Sequence, residues 1–174
     1  MELIDIYNEN NKFTGETIER NEAHKLGLWH REAVVIVVNE KNEILLQKRS
    51  YKRKSYPGKW GLMAGHVISG NTPKATAVRE LKEEIGFNTQ SKNLRFLEIY
   101  IRNAAVNKAF IYIYVVRTNM KIKDFIIQKE ELTDLKFVNI NTLIRRIKKG
   151  DKSLVFANDQ LHIDMFTLVR DFTI

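Results

Sequence analysis

Cysteine is absent from all 174 residues, which excludes disulfides and thiolate metal sites together. No apolar run reaches membrane-spanning length; the longest, Ala33 to Val38, is the size of a strand. The opening Met1-Glu2-Leu3-Ile4-Asp5 lacks the basic and apolar segments of a secretion signal. Repeats, low-complexity tracts and linkers are also missing. These absences lead us to expect a cytoplasmic chain with one domain over residues 1–174 and a single core.

The apolar share of 44% is ordinary for a globular protein, and the net charge is +8. A positive balance suits an anionic ligand such as a phosphate ester, or nucleic acid. It also serves solubility alone, so charge does not choose among these.

Period-two patterns predict a strand at residues 2–7 and a returning strand at Thr17–Arg20, an N-terminal hairpin about the turn Asn8–Lys12. Asn21 is placed to cap a short helical turn through His24. The β-branched run Ala33–Val38 predicts a strand buried on both faces, followed by a turn at Asn39–Asn42 and a strand at Glu43–Arg49. A basic loop carrying Arg49, Lys52, Arg53, Lys54, Tyr56 and Lys59 follows. It reads either as a mobile surface loop or as a grip for a polyphosphate with an aromatic for a base. Trp60–Ala64 predicts a short strand, and Asn93–Ile101 and Lys108–Arg117 a long pair turning at Asn103–Asn107. Leu135–Ile140 completes the strands. Asn141 is expected to cap a helix at Thr142–Lys149, and Asn158–Phe172 reads as a last amphipathic helix.

The organising stretch runs from Gly65 to Phe87. Thr72 then Pro73 marks a helix start, and Gly86 its stop. Ala77, Val78, Leu81 and Ile85 share one face, and Glu80, Glu83 and Glu84 another. Like charges at this spacing repel by roughly 0.2–0.5 kcal/mol per pair. Either the face is simply solvated, or a cation such as Mg²⁺ or Mn²⁺ sits against it.

The whole string resembles the Nudix box, G-x5-E-x7-R-E-U-x-E-E-x-G-U with U apolar. Gly65, Arg79, Glu80, Leu81, Glu83, Glu84, Gly86 and Phe87 match, eight of nine fixed positions within residues 65–87. Asn71 stands where the family has Glu, a residue that steadies the loop and helix. The resemblance implies an α/β (α+β) fold, a Nudix-type α/β/α sandwich on a mixed sheet. It implies a divalent-metal-dependent hydrolase that cleaves a diphosphate linkage in a nucleoside diphosphate derivative or a related metabolite. Glu80, Glu83 and Glu84 would be the Mg²⁺ (or Mn²⁺) ligands, with a carbonyl of Ala64 or Gly65 as a further candidate. Arg79 would orient the glutamates, and Glu83 is the assigned base. Arg49, Lys54, Tyr56 and Lys59 are the candidate substrate contacts, and Glu131 a candidate extra acid. The expected partner is a small diphosphate rather than nucleic acid or a membrane, with a homodimer through the hairpin as an option.

A second likeness covers roughly the first hundred residues. Ala23-His24, Leu28-Trp29-His30-Arg31 and Pro57-Gly58-Lys59-Trp60 resemble the isopentenyl-diphosphate isomerase subgroup, whose histidines bind a metal. His24, His30 and His66 fall at related positions. Those isomerases need a cysteine just before the box histidine, where this chain has Met63-Ala64, and they lack the full glutamate trio. Hydrolysis is therefore the expected reaction. The alternatives are an isomerase-like enzyme acting on prenyl diphosphates and a non-catalytic Nudix module that binds nucleotide or RNA.

Overall fold

The computed structural model describes residues 2–157 and 159–172. Its strands are β1 Leu3–Tyr7, β2 Phe13–Glu19, β3 Trp29–Asn39, β4 Glu43–Arg49, β5 Trp60–Gly61, β6 Met63–His66, β7 Arg95–Ala104, β8 Asn107–Thr118 and β9 Leu132–Asn139. Its α-helices are α1 Arg20–Lys25, α2 Pro73–Ile85, α3 Ile140–Lys148 and α4 Gln160–Phe172. The strands join into one mixed sheet. β3 and β8 run parallel from Trp29↔Lys108 to Asn39↔Thr118, while the other pairings are antiparallel.

The run Ala33–Val38 divides its side chains as a doubly covered strand must. Ala33, Val35 and Val37 pack under α2 with Ala77, Leu81 and Ile85. Ile36 and Val38 pack on the other side with Leu143 and Ile147 of α3 and Phe166 of α4. The sheet is therefore covered by helices on both faces, the expected sandwich. Burying each Leu or Ile contributes about 1.5–3 kcal/mol before chain entropy is counted.

Helix α2 begins and ends as its sequence dictates. The Thr72 side chain accepts from the Ala75 amide, Pro73 opens the first turn, and Gly86 closes it in the left-handed region at φ 65°. Two other caps differ from expectation. Glu19, not Asn21, caps α1 by accepting from the Glu22 amide. Asn139, not Asn141, caps α3, because its side chain reaches the amides of Asn141 and Thr142 while Ile140 enters the core. The β7–β8 turn is tighter than predicted: strand pairing continues to Ala104↔Asn107. Asn93, read as the start of a strand, instead ends a 3-10 turn over residues 91–93. The strand foreseen at Leu135 starts at Leu132. Asn158, read as the start of the last helix, lies outside the described residues.

Candidate active site

Helix α2 turns its apolar stripe into the core, and the neighbouring face meets β6. Glu80 and Glu84 are thereby buried, at 9% and 7% exposure, while the Glu83 side chain stays half exposed. Burial pushes Glu80 up to about 7, against the pull of Arg79 and with the push of Glu83. It drives Glu84 up further, with Glu80 and Glu131 adding repulsion. The Glu84 Oε2 atom is buried without a hydrogen-bond partner. Two buried acids that raise each other's cost of ionisation in this way are costly unless a cation joins them.

Gly65 makes the close approach possible. A methyl group there would lie 2.0 Å from Glu80 Oε1 and 2.3 Å from its Cδ. Gly65→Ala is expected to leave a folded protein with Glu80 displaced and kcat lower by about a hundredfold. Product-formation kinetics, with the two cleavage products separated by chromatography, beside a urea denaturation curve check this; full activity in the variant would refute the role given to Gly65.

Arg79 links the acids. Its guanidinium lies 2.7 Å from Glu80 Oε1 and 2.9 Å from Glu83 Oε2. It also donates to the His66 carbonyl at 3.4 Å. Asn71 is exposed, and no hydrogen bond to its side chain is seen among the described residues. Arg79 is held by Glu80, Glu83 and β6 instead.

The segment before β9 closes the other side. The Gln128 amide donates to the Glu84 carbonyl at 2.9 Å, and the Ser50 amide to the Glu131 carbonyl at 2.7 Å. Arg53 then pairs with Glu131 at 2.7 Å. Glu131 thus stands with the box acids, whose protonation it raises, and not with the histidines. Arg49 faces Glu84 and Glu131 and donates to the Ser55 carbonyl at 2.8 Å. Among the other candidate substrate contacts, Lys59 Nζ lies 5.7 Å from the Tyr56 ring centre. Tyr56 and Lys54 are exposed on the same loop. Arg53, named in the basic loop but not among the candidate substrate contacts, is the loop residue that forms an ion pair with Glu131.

The three histidines converge. His24 comes from α1, His30 from β3 and His66 from β6, with ring centres 4.9 to 5.3 Å apart. Burial holds His66 neutral, down to about 3, although Glu32 opposes this. Glu32 itself was missed in the sequence. Burial alone would raise it, but His30, Arg102 and His66 together hold it well below the usual carboxylate range. The available signal was His30-x-Glu32, two residues on the same face of one strand. Arg102 pairs with Glu32 from β7.

A model of the NUDIX domain matches residues 28–157. The chain belongs to the Nudix family. "Uncharacterized Nudix hydrolase lin0387" of Listeria innocua is 32% identical over 162 residues, 92% of this chain and 94% of that one. "Isopentenyl-diphosphate Delta-isomerase 2" of Photorhabdus laumondii is 29% identical over 120 residues, 67% of this chain and 66% of that one, a more distant likeness. The crystal structure of DR0079 from Deinococcus radiodurans shares the fold at TM-score 0.74 and 21% identity, covering 98% of both chains. Nudix enzymes generally use divalent metals, and the oxygen donors here fit one. Glu80 and Glu84 are buried acids with too little positive charge between them, and Glu84 has an oxygen to spare. Among the described residues, no helix is long and apolar enough to cross a membrane.

Proposed function

We propose that this chain is a single-domain Nudix pyrophosphohydrolase over residues 1–174, working in the cytoplasm. It would cleave a diphosphate linkage in a nucleoside diphosphate derivative or a related phosphorylated metabolite. The observation that carries the reading is the buried Glu80–Glu84 pair with one carboxylate oxygen left without a partner. Glu80, Glu83 and Glu84 would hold Mg²⁺ or Mn²⁺, with Glu131 as a further acid. A divalent ion there would neutralise phosphate charge and acidify water.

The protein's own groups then divide the work. Arg79 holds Glu80 and Glu83 in place and does not touch substrate. Glu83, the solvent-facing member of the trio, takes the proton from the attacking water. Arg49 supplies positive charge beside the acids, and Lys54, Lys59 and Tyr56 carry the rest of the anion and its base. A homodimer through the N-terminal hairpin belongs to the same reading.

A panel of nucleoside diphosphate derivatives with Mg²⁺ or Mn²⁺ tests it, with products separated by chromatography. Cleavage at the diphosphate is the expected result. Binding without turnover would instead favour a non-catalytic module, which Asn71 and the +8 charge motivate. Turnover of a prenyl diphosphate alone would favour the isomerase-like enzyme. The converging histidines speak for that second reading, and the absence of cysteine speaks against it.

A further inference from the structure

Past Val67, the loop of the box is held from outside by one element. The Val67 amide still donates to the Arg31 carbonyl of β3 at 3.0 Å. The chain then leaves β3 and crosses onto β1. Ile4 and Ile68 form an antiparallel bridge, and the Ser69 amide donates to the Leu3 carbonyl at 2.9 Å. The Gly70 amide reaches one oxygen of the Asp5 carboxylate at 3.4 Å, and the Thr17 hydroxyl of β2 donates to the other at 2.9 Å. Among the described residues, the hydrogen bonds that tie residues 68–70 to another element all go to β1.

The loop has little else to place it. Asn71 is exposed, and no hydrogen bond to its side chain is seen among the described residues. The Nε atom of Arg79 is buried and lacks an acceptor, so no loop side chain holds the arginine at that atom. What remains is a turn of the type II pattern. The Asn71 amide donates back to the Ile68 carbonyl at 3.0 Å, with Gly70 in the third place at φ 79°. Such a turn fixes its own residues and not their position on the fold.

Strand β1 has that position to give. Ile4 is fully buried in a cluster with Ile6 and Ala23, against Ile18 and Leu28. A close-packed seat of this kind moves little. Glu2 and Leu3 line a cleft of about 510 Å³ together with Ile68, Ser69 and Arg79. The charge of Glu2 also adds to the upward push on Glu80. Residues 2–5 therefore stand against the arginine that orients the acids.

We infer that β1 is the strut of the box loop, with the Leu3 carbonyl and the Asp5 carboxylate as positioning groups for Arg79 and the glutamates. Its effect on turnover rests on the hydrolase reading; the strut itself rests on the hydrogen bonds alone. The lever is short. Just before the loop, His66 gives its carbonyl to Arg79, and just after it Thr72 caps α2. A loop that swings free of β1 shifts both ends of this span, and with them the close approach of Glu80 to Gly65. The β1 groups bond to the loop and not to the acids. Their loss should therefore lower kcat and leave KM in place.

Ser69→Pro tests it. Proline suits the second place of this turn and removes the amide that Leu3 accepts. Ser69→Ala keeps that amide and serves as the control. In the proline variant, hydrogen exchange at the Val67 and Gly70 amides is expected to speed up by about three- to tenfold, the worth of one hydrogen bond in local opening. The kcat for diphosphate cleavage is expected to fall by about tenfold, with KM and the urea midpoint unchanged. A residue that only supports the fold would move the midpoint. Asp5→Ala should speed Gly70 exchange by about threefold, and Asp5→Asn, which keeps an acceptor, should restore the parent rate. That pair decides the matter if the proline variant fails to fold. Unaltered exchange in Ser69→Pro and Asp5→Ala would overturn the strut, and faster exchange with the parent kcat would overturn its positioning role. A parent chain that cleaves no diphosphate would sink the hydrolase reading instead, and exchange at Val67 and Gly70 would still decide whether β1 holds the loop.

Discussion

Glu84→Gln is expected to abolish turnover and at the same time to stabilise the metal-free protein. The two effects have one cause. Glu84 is held in the core at 7% exposure with an oxygen that no donor reaches, beside the like charges of Glu80 and Glu131. In the absence of a cation this arrangement opposes folding. A neutral amide of the same shape removes the repulsion and can donate to the adjacent carboxylates. The expected gain is about 1–3 kcal/mol at neutral pH, read as a rise in the urea midpoint under chelator. Because the folded acid titrates above its unfolded value, the gain should shrink as the pH falls toward about 4, where both states are protonated. Turnover with Mg²⁺ should drop by about a thousandfold, since an amide is a poor ligand for a hard cation. A residue that only props up the fold would lose activity and stability together. Such a parallel loss would remove Glu84 from the metal-binding role.

What the chain reveals before folding depends on how local the signal is. Thr72, Pro73 and Gly86 act on their own turns of backbone, and α2 runs between them as predicted. The β-branched run at Ala33–Val38 likewise fixes its own strand and its burial. The caps of α1 and α3 were misplaced because a neighbouring Glu or Asn reached the free amides first. The box acids are legible from their spacing, but their division into buried Glu80 and Glu84 and exposed Glu83 depends on how α2 lies against β6. Glu131 reaches the site only through the loop anchored at Ser50 and Glu84. Glu32 shares a strand face with His30, which the sequence spacing offers, but its partners stay hidden because His66 is fixed by strand register and Arg102 approaches from the far side of β8. Contacts set by register and layer packing leave no periodic trace.

Raising the pH is expected to weaken the metal-free protein and to strengthen its hold on Mg²⁺. Burial lifts Glu80 from an ordinary value of 4.5 to about 7. Below about pH 4.5 the folded and unfolded chains both carry the proton, and Glu80 has no effect on stability. Between there and about pH 7 the unfolded chain releases it and the folded chain does not. Stability under chelator should therefore decline across that window, by on the order of 3 kcal/mol from Glu80, and then level off. Glu84, raised further, extends the decline to higher pH. Mg²⁺ requires both carboxylates ionised, so binding must expel their protons. Apparent affinity should climb by about tenfold per pH unit for each proton displaced, until Glu80 ionises on its own near pH 7 and the slope falls. Calorimetry in buffers of different ionisation enthalpy counts the protons directly. Raising Mg²⁺ should correspondingly shift the acid limb of the activity profile to lower pH. Mg²⁺ binding that releases no protons at about pH 6 would place the ion away from Glu80 and Glu84, because those two acids cannot ligate it without giving theirs up.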